Sequence, residues 1–132
     1  MTIEDGVAIL FNLRRKGFIV RRSPEGKIRV SPPGRLTNDA RKTILQNRTA
    51  ILEALERETA LGAGKAERRA RELIRKEGAP WVTATETEGE WTYVACLRRD
   101  GSGWTVRIPR DMFDPFRLAE ALRRVDPSGA VH

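Results

Sequence analysis

Three breaks cut the first 55 residues of this chain into short, ordered pieces: Gly17, the stretch Ser23, Pro24, Glu25 and Gly26, and the run Pro32, Pro33 and Gly34. Before the first break, Ile3, Val7, Leu10 and Phe11 recur on one face of a helix with Leu13 at its flank, and Gly17 supplies a left-handed stop. Arg14, Arg15 and Lys16 fill the last turn, where the helix dipole favours cations. Phe18 to Arg22 and Lys27 to Val30 then read as two strands. Proline second and glycine fourth in the intervening turn suit a type I turn closing into a bulge, which sets Ser23 against Lys27, Arg21 against Arg29 and Val20 against Val30. After the third break Thr37 caps a second helix with Asp39 in its first turn. Ala40, Ile44, Ile51 and Leu55 form its stripe, Leu45 and Leu52 widen it, and Arg48 lies alongside.

Alternation sorts the hairpin into two faces. Phe18, Val20, Ile28 and Val30 share the face that covers the helices, and Ile19, Arg21, Lys27 and Arg29 share the other. Two arginines directly opposite one another repel by up to about 1 kcal/mol. An acidic ligand docked across them relieves that repulsion; the plainer reading is that long basic side chains keep an exposed ribbon soluble and blunt its edges. A two-stranded ribbon leaves both edges unpaired, so an extended peptide can join as a third strand. The net charge of +7 is uneven: 8 basic residues face 3 acidic ones in residues 1–36, 10 face 7 in 37–78, and 7 face 8 in 79–132. A basic N-terminal half attracts an acidic partner, either a carboxylate-rich peptide or a nucleic acid.

Residues 7–55 resemble the TubC-type N-terminal docking domain, or beta-hairpin docking domain, found at the front of subunits in multienzyme peptide and polyketide assembly lines. The matching residues are Ala8, Ile9, Leu10 and Leu13, then Lys16 to Val20, Gly26 to Val30 and Pro33 to Thr37, and finally Leu45, Arg48, Ile51, Leu52 and Leu55. At Arg48 the family usually has a lysine. The resemblance implies a helix-hairpin-helix module, often dimeric, that captures an acidic C-terminal segment of an upstream protein by strand addition. Carried onto this chain, it makes Arg21, Lys27 and Arg29 the peptide-facing residues and Arg48 an outer contact; Ile19, which alternation sets on the same face, joins them as a partner-binding candidate. The rest of the chain carries no condensation, adenylation or ketosynthase domain. Such modules also occur alone in small proteins of bacterial mobile elements.

The expected fold class is α+β, in three parts. A docking-like module spans 1–58, a junction and charged linker helix span 59–78, and a β-β-β-α unit spans 79–132. In the linker helix only Ala66, Ala70, Leu73 and Ile74 offer an apolar stripe, and Gly78 ends it. Trp81 to Thr87, Glu90 to Arg98 and Gly103 to Pro109 read as a three-stranded antiparallel sheet. Asp114 caps a last helix with Pro115 first, whose inner face of Phe116, Ala119 and Leu122 is expected to pack on that sheet. Arg98, Arg99, Arg107 and Arg110 are candidates for nucleic-acid contact, although Asp111 and Asp114 at the last helix would repel phosphates.

Catalytic readings find little to build on. His132 is the only histidine and the last residue, and Cys96 is the only cysteine, so there is no Ser-His-Asp or Cys-His set, and the two cannot build a zinc site without carboxylate help. The Gly62 to Lys65 stretch lacks the upstream glycine and the following Ser or Thr of a phosphate loop. The turn carboxylates Glu86, Glu88 and Glu90 read as a solvated acidic segment. No cofactor, metal or membrane span is expected, and the lone cysteine fits the cytoplasm. The preferred expectation is a non-catalytic adaptor that receives an acidic extended segment of another protein. Its alternative is a nucleic-acid-binding accessory of a phage or plasmid using the same basic surface, and a third reading has both halves supporting a homodimer.

Overall fold

The chain folds, in a computed structural model that describes residues 2–125, as a mixed α+β protein with five helices, one two-stranded and one four-stranded antiparallel sheet. His132 lies outside the described residues. Two compact units share them: residues 2–56 with 114–125, and residues 57–113.

In the first unit, α1 (Ile3–Arg15) begins at Thr2, whose backbone N–H and hydroxyl both donate to the Asp5 carboxylate at 3.1 Å. Ile3, Val7, Leu10 and Phe11 are buried, and so are Glu4, Ala8 and Ile9. A helix buried on more than one stripe sits between neighbours. Here they are α3 (Arg48–Glu56) and α5 (Pro115–Val125), both packed on α1. The two helices come close at Gly6, where a Cβ would lie 2.1 Å from the Ala50 carbonyl oxygen of α3. The start of α5 is held by Glu4, whose buried carboxylate accepts the Asp114 N–H at 2.9 Å. Arg124 secures the same helix with an ion pair to Asp5 at 2.7 Å.

This corrects the expectation of a last helix packed on the sheet. Its apolar stripe fits any flat apolar surface, and α1, buried on more than one stripe, offers such a surface beside α3. The stripe itself is Leu118, Ala121 and Leu122, whereas Phe116, expected on the inner face, is 83% exposed. Asp114 does cap the helix, accepting the Phe116 N–H at 2.9 Å.

The second helix also departs from expectation, dividing into α2 (Asn38–Gln46) and α3 at Asn47. The Asn47 side-chain amide donates to the Thr43 carbonyl at 2.8 Å, a local bond that favours helix ends over interiors. Thr37 caps α2 by accepting the Ala40 N–H at 3.1 Å. Only Ile44 of α2 is buried, and Leu45, expected to widen the stripe, is 72% exposed.

The hairpin joins α1 to α2. Strands β1 (Ile19–Arg22) and β2 (Ile28–Ser31) pair Arg21 with Arg29 and Val20 with Val30, the register the turn chemistry predicts. Gly26, at φ +79, supplies the bulge. Val20 is buried beneath the ribbon.

In the second unit β4 (Trp81–Glu88), β5 (Trp91–Arg98) and β6 (Gly103–Pro109) form the expected meander, but the sheet has a fourth strand. Strand β3 (Glu58–Thr59) pairs with β6, setting Glu58 against Val106 and Thr59 against Thr105. Two residues are too few for alternation to reveal. The linker helix is not a solvated connector either. As α4 (Lys65–Glu77) it lies on the sheet, with Ala66 and Ala70 packed among Val82, Ala84, Ala95 and Leu97, and Leu73 and Ile74 alongside. Its buried Glu67 accepts the Gly62 N–H and pairs with Arg71 at 3.7 Å. The other sheet face carries Val94, Cys96, Trp104, Val106 and Ile108, all buried, and Cys96 is in no disulfide.

Candidate functional site

The hairpin's outer face is built by alternation alone. With Phe18, Val20, Ile28 and Val30 directed toward the interior, Ile19, Arg21, Lys27 and Arg29 are left exposed, Ile19 by 53%. Ile19, Arg21 and Arg29 line one depression of about 570 Å³ with Arg22, Ser31 and the turn residues Ser23 to Glu25. Lys27 and Arg48 do not line it; Arg48 is exposed in the first turn of α3.

Arg21 and Arg29 stand opposite each other and make no ion pair among the described residues. Arg22, by contrast, reaches Glu56 at 3.3 Å. One carboxylate sits near the pair. Glu25 is held below the usual carboxylate range, first by the Ser23 hydroxyl and more weakly by the charge of Arg29. The face remains cationic, since one carboxylate at the turn tip stands against two facing guanidinium groups.

The ribbon's edges differ from one another. Ser23 donates its N–H to the Lys27 carbonyl at 2.8 Å, so antiparallel alternation makes Arg21 with Arg29 and Ile19 with Ser31 the bonded pairs. The backbone groups of Val20, Arg22, Ile28 and Val30 therefore point out of the ribbon. On β1 the Val20 carbonyl is already taken, accepting from the Arg14 guanidinium at 2.8 Å. On β2 the N–H and C=O of Ile28 and Val30 make no hydrogen bond among the described residues. The face and the β2 edge together offer guanidinium groups above and unpaired backbone groups beside them.

The other candidates are differently placed. Arg107 stacks 4.0 Å from the Trp91 ring centroid and Arg98 4.8 Å from that of Trp81. Each guanidinium thus already covers an aromatic face, an attraction worth about 0.5–1 kcal/mol at exposed sites. Arg99 donates its backbone N–H to the Pro80 carbonyl at 3.0 Å, and Arg110 lines a separate depression with Glu90, Trp91, Pro109 and Asp111. These four arginines therefore do not share one surface feature. Of the turn carboxylates, Glu86 pairs with Arg69 at 3.0 Å and Glu88 accepts the Lys65 N–H at 3.2 Å.

Sequence reasoning missed Arg14, read only as a dipole partner in the last turn of α1. Its contact with Val20 crosses from helix to strand, and nothing in the local pattern marks it. It also missed Glu4, whose position on α1 reads as a solvated first-turn acid.

Among the described residues, no group of three His, Cys, Asp or Glu side chains is placed to hold a metal ion. No helix among them is long and apolar enough to cross a membrane. No protein-family model, curated protein or solved structure matches the chain.

Proposed function

We propose that this chain is a non-catalytic adaptor that receives an acidic, extended segment of another protein as a third strand on its hairpin. The segment pairs with the open edge of β2 through the backbone groups of Ile28 and Val30, and its acidic side chains lie toward Arg21 and Arg29. The supporting observation is the asymmetry of the edges: Arg14 blocks part of β1, while β2 keeps its outward donors and acceptors unpaired. Strand addition takes affinity from such groups and specificity from the side chains that flank them.

The first unit carries the charge this reading needs. Residues 2–56 and 114–125 hold 14 basic and 8 acidic residues, against 11 and 9 in residues 57–113. The same charge supports the second reading, in which phosphates of a nucleic acid replace the carboxylates.

Amide hydrogen exchange separates the two. A synthetic peptide of alternating glutamate and valine is expected to protect the Ile28 and Val30 amides at least tenfold and to leave the Arg21 and Arg29 amides, already bonded across the ribbon, unchanged. Duplex DNA that bound with a steep loss between about 50 and 200 mM salt, without protecting Ile28 and Val30, would replace the adaptor reading with the nucleic-acid one. Arg21→Glu combined with Arg29→Glu is expected to abolish binding of either ligand.

A further inference from the structure

A second concavity lies at the open end of the same hairpin. Phe18, the residue before β1, and Arg35, which follows β2 in a short 3₁₀ turn, both line a groove of about 410 Å³. Its apolar lining comes from Ile9 and Leu13 on α1, from Phe18, and from Ala40 and Ile44 on α2. Lys16 and Arg35 supply two cations to the rim, and Asp39 in the first turn of α2 supplies its one carboxylate. The Arg35 guanidinium lies 6.0 Å from the Phe18 ring centroid. The groove lies within the size range of sites that hold small ligands.

We propose that this groove holds an apolar anchor, a side chain of leucine or phenylalanine size, belonging to the same acidic segment that adds to β2. The inference rests on the strand-addition reading and extends it from a strand to a strand plus an anchor. Three observations carry it. A chain lying along β2 and continuing past Ser31 leaves the ribbon at its open end, where Phe18 and Arg35 form the groove wall. Half of the lining is apolar, with Val125 of α5 joining the α1 and α2 residues, and Asn12, Thr37 and Thr43 add polar surface, so the groove has apolar wall enough to bury one side chain of leucine size. The rim has two cations to one anion, which matches a segment whose residues next to the anchor are acidic. Asp39 disfavours acids over the α2 side and so places them at Lys16 and Arg35.

The test uses the full chain and four peptides of alternating glutamate and valine, with a pair of leucines or a pair of serines at one end or the other. Titration calorimetry is expected to show one leucine-ended peptide binding about tenfold tighter than its serine-ended twin, because burying one such side chain is worth roughly one such factor. Which end gains reports whether the strand runs parallel or antiparallel to β2. Ala40→Trp, which fills the groove, is expected to remove the gain and to leave binding of the serine-ended peptides unchanged. Thr43→Trp, on an exposed lining residue, serves the same purpose if Ala40→Trp does not fold.

Equal binding of both kinds of peptide overturns the anchor, as does a leucine gain that survives groove filling. Concentration-dependent self-association of the chain alone, lost on groove filling, would assign the groove to a second copy and also overturn it. If the serine-ended peptides protect Ile28 and Val30 but leucines add nothing, only the anchor falls. If no peptide protects those amides, strand addition itself falls and the anchor with it.

Discussion

The contrast between the hairpin and the four-stranded sheet shows what a basic strand residue can be for. On the sheet, Arg107 and Arg98 each cover a tryptophan, so their charge is engaged within the protein. On the hairpin, Arg21 and Arg29 face each other and solvent. The sheet also has α4 packed on one face, whereas the hairpin has a bare outer face and a bare edge. The first arrangement closes a surface and the second leaves one unfinished, which is why the adaptor reading is placed on the hairpin.

The sharpest way to break that contrast is to remove the platform under the ribbon. Gly6→Val puts a side chain into the Ala50 carbonyl, and neither backbone can yield cheaply. A loss of roughly 3 kcal/mol or more is expected in thermal or denaturant melts, with loss of slow amide exchange at Arg21 and Arg29, the amides bonded across the ribbon. Overpacking the other region with Ala70→Leu pushes α4 off Val82 and Leu97 and is expected to cost roughly 1–3 kcal/mol. Binding of the glutamate-valine peptide is expected to distinguish the two variants, because only Gly6→Val disturbs the helices beneath the ribbon.

Single arginine substitutions sharpen the comparison further. Arg107→Ala uncovers Trp91 and is expected to lower stability by about 0.5–1 kcal/mol without altering peptide affinity. Arg29→Glu turns a repelling cross-strand pair into an attracting one, so it is expected to raise stability by up to about 1 kcal/mol while weakening peptide binding. Lower stability with unchanged peptide affinity would mean that Arg29, like Arg107, serves the fold rather than a partner.

The smallest effect concerns pH. Burial raises the Asp5 pKa, but hydrogen bonds from Thr2 and the charge and hydrogen bond of Arg124 together outweigh it and hold the group below its ordinary 3.8. A carboxylate depressed on folding contributes stability that is complete above that ordinary value and is lost as pH falls through the lowered one. Acid titration below about pH 4 is therefore expected to loosen α5 from α1, and Asp5→Asn to flatten that part of the stability profile.

Local chemistry was legible in the sequence because it is encoded within a few residues. The turn from Ser23 to Gly26 carries its own register, and Thr37, Asp114 and Gly78 mark helix ends by side chain or by left-handed backbone. Tertiary choices were not. The stripe on α5 does not state which apolar surface it will meet, and small Ala66 and Ala70 on a heavily charged helix understate how closely α4 can approach a sheet. The candidate face was legible through alternation, so Ile19, Arg21, Lys27 and Arg29 were all placed on it. The inequality of the two edges was not legible, because it depends on one guanidinium reaching from α1 to a strand carbonyl.

The return of residues 114–125 to the unit begun by residues 2–56 bears on how the molecule is made. Of the five helices, α1 leaves the ribosome before the others, yet the helix that buries its remaining apolar side is translated after them all. Until then Glu4 and Asp5 lack the Asp114 N–H and the Arg124 guanidinium that they bind, and the nascent α1 has reason to wait, or to be guarded, while the intervening sheet folds. A fragment stopped at residue 58 would keep the hairpin's sequence and lose the helix that encloses its foundation.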